Sequence, residues 1–225
     1  MASRERTMRA QFENELRELR EGVLRMAGHV EAQIEAALGA LRNLDREAAE
    51  EVRRRDQGIN EACRQIREQC FLVIATQQPV ARDLRALTGV QHIAIELERM
   101  GDYAVRLGRR TCVLTALPRR PLRAEFGLMG ELATQQVRDI LDALIDLDAH
   151  RAVEVARRDS EIDGLYERVF DDLIQELASD SDPDLALRAV TLTQAAHDLE
   201  RISDRVTNVA EDIVFLEEGH VVELR

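Results

Sequence analysis

The 225-residue sequence has no tryptophan and only 3% aromatic residues, four prolines and eleven glycines. Sheets favour aromatic and β-branched residues, and loop-rich folds need turn formers. Their scarcity, beside an excess of Ala, Leu, Arg and Glu, points away from both and towards long helices. Cysteine is also rare: Cys63, Cys70 and Cys112 form no CxxC pair. Cys63 and Cys70 are seven residues apart, about 10 Å along a helix axis, which is beyond disulfide reach. They read as small core residues in a reducing compartment. Long apolar runs are missing too. The longest, Phe71–Ala75, is far short of the roughly 18 residues of a spanning helix, and the charged first residues do not form a secretory leader. The expectation is a soluble, cytoplasmic chain that meets membranes only through partners. There is no GxSxG, P-loop, Gly-rich turn into a helix or HxxxH pair, which removes the commonest catalytic signatures.

What is present is apolar and charged. Hydrophobic residues make up 45% and charged ones 33%, with a formal charge of −12. The apolar residues are plentiful and periodic, which argues against disorder. The acidity argues against nucleic acid as a partner and is compatible with cations or a basic protein surface.

Helical spacing appears six times. Leu16 to Leu41 steps by three and four, and Leu44-Asp45 interrupts it, with Asp45 as the next N-cap. A second helix carries Val52, Ile59, Cys63, Ile66, Cys70, Val73 and Ile74 and stops before Pro79. A third starts at Pro79 and runs through Leu84, Val90, Leu97 and Leu107 to about Thr115. Pro118-Arg119-Arg120-Pro121 is the clear breaker cluster and divides residues 1–116 from 117–225. Beyond it, Leu128 to Ile145 forms a fourth helix, Val155 to Leu177 a fifth, and Ser179-Asp180-Ser181-Asp182-Pro183 a turn into a sixth that ends near Glu218.

The second half copies the first. At an offset of 103, Met26–Ile59 matches Met129–Ile162 at 14 of 34 positions, and Leu44-Asp45 recurs as Leu147-Asp148. In the third helix of each half the offset is 102. The spacing predicts an all-α fold of two tandem antiparallel three-helix bundles, six long helices in total, each bundle about 45 Å long.

The repeat also duplicates carboxylates at i,i+4, which lie on one helix face. The pairs are Glu98 with Asp102 and Glu200 with Asp204 on the third and sixth helices. Asp56 with Asn60 and Asp159 with Asp163 occupy the second and fifth. Facing pairs across a groove would converge oxygen ligands suited to Mg, Mn, Ca or Fe. The alternative is a solvated acidic face paired with Arg99, Arg106, Arg201 and Arg205. His92 and His197 lie near the acidic motifs but read as surface or packing residues.

Glu98-Arg99-Met100-Gly101-Asp102-Tyr103-Ala104, its copy Leu199-Glu200-Arg201-Ile202-Ser203-Asp204-Arg205, the element Arg55-Asp56-Gln57-Gly58-Ile59-Asn60 and the turn Gln78-Pro79-Val80-Ala81-Arg82-Asp83-Leu84-Arg85 resemble motifs of the PhoU family of bacterial phosphate-uptake regulators. The resemblance covers nearly the whole chain. It implies two three-helix bundles in a non-enzymatic cytoplasmic protein, often a homodimer. Such a protein represses the phosphate-starvation response by linking a phosphate ABC transporter, through its ATPase subunit, to a sensor histidine kinase. It further implies metal ions, divalent or trivalent (Fe, Mn, Mg or similar), held by Glu98 and Asp102 with Asp56 and Asn60, and by Glu200, Asp204 and Asn208 with Asp159 and Asp163. Two positions depart from the pattern. Ser203 replaces a usual glycine, and Arg106 stands where the second copy has Asn208, so the two sites are expected to differ. Other readings of the residues are a metal-dependent phosphate-ester hydrolase, which lacks an evident base or nucleophile, and a purely structural helical interaction module.

Overall fold

The periodic stretches become helices in the computed structural model, which describes residues 2–179 and 182–224. They are α1 (Ala2–Asn43), α2 (Arg46–Gln77), α3 (Ala81–Leu114), α4 (Ala124–Asp146), α5 (Ala149–Ala156), α6 (Asp159–Ser179) and α7 (Pro183–Glu218). No strand occurs among the described residues. Asp180 and Ser181, central to the expected turn before α7, lie outside the described residues.

The repeated Leu-Asp turns are built alike. Leu44 and Leu147 adopt left-handed φ values of 49° and 50°. The following aspartates cap the next helix: Asp45 accepts from the Ala48 N–H at 3.0 Å and Asp148 from the Arg151 N–H at 2.9 Å. Each cap satisfies a free helix-end donor and contributes about 1 kcal/mol.

Four features differ from the expectation. First, the fifth helix is interrupted at Arg157–Arg158, giving α5 and α6. In the first repeat Arg54 and Arg55 stay on their own helix, bonded to Glu51 at 2.7 and 3.0 Å. In the second, Arg158 reaches across to Asp139 on α4, where the first repeat has Ala36. Its N–H shortens to a Val155 carbonyl contact at 3.1 Å, the i−3 pattern of a tightened turn. Second, α3 starts at Ala81 and not at Pro79, because Gln78 is left-handed (φ 48°) and closes α2 on the Ile74 carbonyl. Third, α4 starts at Ala124, ahead of Leu128. Fourth, Leu84, Leu128 and Ile145, expected inside, are exposed. Leu128 flanks a buried stripe that runs through Phe126, Met129, Ala133, Val137 and Ile140, while Leu84 lies in the first turn of α3 and Ile145 in the last turn of α4, where it lines a surface pocket with Val23, Val90 and Leu216.

The helices α1–α3 pack together, as do α4–α7, and one continuous core joins the two groups. Cys63 and Cys70 are buried in it as free thiols. The main seam is α3 against α7, running antiparallel: His92 meets Asp212, Glu96 meets Asn208, Tyr103 meets Arg201 and Arg110 meets Asp198. That register places the repeat equivalents Gly101 and Ser203 at the crossing. Close approach depends on Gly89, where a Cβ would stand 2.6 Å from Leu216 Cδ2. A second seam joins α1 to α4, where Arg138 bridges Glu31 at 2.6 Å and also Glu35. The breaker segment is held down by buried Arg188, whose Nη2 donates to the Arg120 and Pro121 carbonyls at 2.9 and 3.1 Å.

Candidate functional site

In the first group, Asp56 on α2 lies opposite Glu98 and Asp102 on α3. Asp56 accepts from Gln33 Nε2 and from Asn60 Nδ2, both at 3.0 Å. Gln33 also donates to the Gly101 carbonyl at 3.2 Å. Gly101 keeps this junction close, since a Cβ there would sit 3.4–3.5 Å from Ile59, Asp56 and Gln33. The Glu98 carboxyl is raised above its ordinary range by burial, then by Asp102 and Asp56. Asp102 is raised by burial and by Asp56, while Arg106 and Arg109 pull the other way. Arg106 itself stacks over Tyr103 with its guanidinium carbon 4.7 Å from the ring centroid. The three carboxylates therefore repel one another in a partly dry setting.

The second group rebuilds this junction with a hydroxymethyl group added. Ser203, at the Gly101 position, donates to Gln136 Oε1 or Asp159 Oδ1, at 2.6 and 2.5 Å. Gln136 and Asp159 are the repeat equivalents of Gln33 and Asp56. Asp159, Asp163 and Asp204 line an open cavity of about 620 Å³ together with Arg157, Arg201, Thr207 and Leu224. The break between α5 and α6 borders it. Burial, reinforced by Asp204, raises Glu200 to about 7, and its Oε2 is buried with no partner. Burial, then Asp159 and Asp204, raise Asp163. Asp204 is engaged by Arg201 and more loosely by Arg205 at 3.8 Å.

Asn208 is placed elsewhere. Its Nδ2 donates to Glu96 Oε2 at 2.9 Å, across the α3–α7 seam. Glu96 is fully buried and also receives Arg205 Nη1 at 3.1 Å and Arg99 Nη1 at 2.5 Å. Beside it, His92 Nδ1 is 2.7 Å from Asp212, whose carboxyl burial raises and His92 restrains. Asp198, the equivalent of Glu96, is raised to about 6 by burial despite Arg110 and Arg106. Sequence reasoning missed this seam, although a signal existed: Glu96-Leu97-Glu98-Arg99 and Asp198-Leu199-Glu200-Arg201 each carry an acid two residues ahead of the expected ligand.

A cation would be held through oxygen alone, and the donor chemistry fits a hard ion. Two buried oxygens, Gln33 Oε1 and Glu200 Oε2, lack partners in these junctions, and the carboxyls beside them are raised first by burial and then by one another. As the side chains stand, no three His, Cys, Asp or Glu groups among the described residues converge closely enough to hold an ion. Binding would therefore require the carboxylates to turn inward.

Comparison with known proteins bears on both groups of helices. The PhoU domain family matches residues 23–111 and again 126–213. A phosphate-specific transport system accessory protein PhoU homolog from Pseudomonas putida is 36% identical over 93% of this chain and 81% of its own. A homolog from Clostridium acetobutylicum is 34% identical over 95% and 97%. The Escherichia coli K12 accessory protein PhoU is 32% identical over 93% and 86%. The crystal structure of PhoU from Pseudomonas aeruginosa superposes with a TM-score of 0.87 at 34% identity, covering 93% of this chain and all of that one. The phosphate transport system regulatory protein PhoU from Streptococcus pneumoniae does so with 0.87 at 27% identity, over 94% and 99%. These are names of accessory and regulatory proteins and not of enzymes, in agreement with the sequence reading. With both halves matched and the fold shared along nearly its full length, the chain belongs to the PhoU family.

Proposed function

We propose that the protein is an accessory regulator of a phosphate-specific transport system. It acts in the cytoplasm as an adaptor between the ATPase subunit of a phosphate ABC transporter and a sensor histidine kinase, restraining phosphate uptake and the starvation response. The observation that carries this reading is the 36% identity over 93% of the chain to a relative named for that accessory role. Among the described residues, no helix is long and apolar enough to cross a membrane, as suits a protein that reaches the bilayer through partners.

In this reading the chain assembles as a homodimer and its acidic faces take metal ions. Asp56, Glu98 and Asp102 would hold an ion in the first group, with Asn60 orienting Asp56 through its hydrogen bond. Asp159, Asp163, Glu200 and Asp204 would do so in the second. A bound cation supplies positive charge that offsets the mutual repulsion of these carboxylates. Ser203 and Gln33 fix the junctions from which the carboxylates project.

Deletion in the parent organism tests the regulatory role. The expected result is phosphate-responsive genes expressed in replete medium and uptake released from control. Unchanged expression and uptake would overturn the proposal. Size-exclusion chromatography with light scattering tests the dimer, and elemental analysis of protein purified without chelator tests the metal.

A further inference from the structure

The duplicated fold has two equivalent valleys, and only one is filled. In the first, α3 lies between α2 and the C-terminal half of α7. Arg85 closes this valley by stacking on Phe215 at 5.9 Å and packing against Gly219, and His92 ties across to Asp212. In the second, α7 lies between α6 and the C-terminal half of α3. Leu187 stands at the Arg85 position, Val190 at Thr88, Gln194 at His92 and Phe170 at Arg67, while Ile174 matches Phe71, which is exposed in the first valley as well. Val113 replaces Phe215. Val113, Phe170, Ile174, Leu187 and Val190 are 38–51% exposed.

These side chains share one surface. Leu187, Val190, Gln194 and His197 recur at helical spacing along one face of α7. Phe170 and Ile174 are four apart on α6, and Phe170 continues into Tyr166, which meets His197 edge-on at 6.2 Å. On the opposite side, Arg110 lies 3.6 Å from Asp198, which fixes α3 against this stretch of α7. From Leu187 to Arg201 the valley runs about 21 Å, four turns of helix. Its rims carry opposite charge. Glu167 and Asp171 are exposed on the α6 side and Arg106 on the α3 side, where Arg110 is already paired with Asp198.

We infer that this valley docks an amphipathic helix of a partner protein, apolar on the face it buries, with basic residues along the edge over α6 and acidic residues along the edge over α3. Charge complementarity selects this occupant. An acidic rim facing a basic one disfavours an anionic lipid surface and a uniformly charged helix alike. The idea rests on the adaptor reading and gives that adaptor its contact surface. The apolar strip supplies affinity, and the two rims set the direction in which the helix lies.

A photo-crosslinking amino acid at Gln194, in the full chain expressed in its own organism, tests the surface, with the same group at Thr88 in the closed valley as control. The expected product joins Gln194, and not Thr88, to a segment of another protein that is helical, apolar on one face and oppositely charged on its two edges. Val190→Glu, and separately Glu167→Arg with Asp171→Arg, should each lower that product at least tenfold. The rim pair is exposed, and an unchanged circular dichroism melt of that variant separates lost docking from lost fold. A product with a second copy of this chain, with lipid, or with a uniformly charged segment would overturn the inference, as would no product at Gln194. If the crosslinked protein has no part in phosphate transport or sensing, the surface stands and the proposed function falls. If deletion deregulates uptake while the rim variant regulates normally, the function stands and the surface falls.

Discussion

Glu200 gives the most direct test of the acidic junctions. Burial and the neighbouring Asp204 raise its carboxyl from 4.5 to about 7, and its Oε2 has no partner. A folded-state pKa above the unfolded value means that folding favours the protonated form. The group costs nothing at low pH, and its cost grows as pH rises through the window from 4.5 to about 7. At ~1.4 kcal/mol per pH unit the full cost above that window is about 3.5 kcal/mol, reduced to about 2 kcal/mol because the side chain is partly solvated. Glu200→Gln keeps the shape and removes the charge. In chelator at pH 8 the variant should therefore be about 2 kcal/mol more stable than wild type. For a chain of this size that is roughly 4–8 °C in melting temperature. At pH 4, below the whole window, Glu200 is mostly protonated in both the folded and unfolded chain, and the two should melt nearly together. Circular dichroism melts at both pH values measure this directly. Added Mn²⁺ should raise the wild-type midpoint more than that of the variant, because only the wild type presents the charge a cation neutralises. A variant that is no more stable at pH 8 in chelator, or equally more stable at both pH values, would refute the electrostatic argument.

Three other outcomes are expected. Glu96→Ala should cost about 3–5 kcal/mol in urea unfolding, because it leaves Arg205 buried beside an emptied position; Glu96→Gln, which keeps an acceptor for Asn208, should cost less. Arg188→Leu should release the segment at Arg120–Pro121, seen in limited trypsin digestion as faster cleavage after Arg119, with the helical signal retained. Glu98→Ala combined with Asp102→Ala should lower bound metal by elemental analysis while leaving helical content unchanged, and unaltered stoichiometry would count against a first-group site.

Much of the architecture is legible in the sequence because helix periodicity and caps are local. Asp45 and Asp148 announce their turns through residue type alone, and the offset of 103 shows that what holds for one half holds for the other. The break at Arg157–Arg158 is not legible, since it depends on a guanidinium finding Asp139 on another helix. The acidic positions are visible as i,i+4 pairs, but their surroundings are not. Asn208 reads as a ligand of the second site because it continues a stripe with Glu200 and Asp204. It turns to Glu96 because residues on one helix face are divided between two neighbours when the helix sits at a seam. The fully buried charge of Glu96 is hidden for the same reason: periodicity distinguishes a polar face from an apolar one, and cannot say that another helix covers the polar face.

The antiparallel crossing of α3 and α7 at Gly101 and Ser203 has a consequence for how the chain could vary. Two like units related by such a crossing meet as the halves of a symmetric dimer do, with one patch serving both sides. While such halves are separate copies of one gene, every substitution at the seam appears twice and must suit both places. Joined in one chain, the two sides are free to diverge. His92 against Asp212 and its counterpart Gln194 beside Arg110 are the product of that freedom. So are a valley closed by arginine on one side of the axis and an apolar one on the other. A symmetric scaffold of this kind becomes a part with a front and a back, able to present different surfaces to different neighbours.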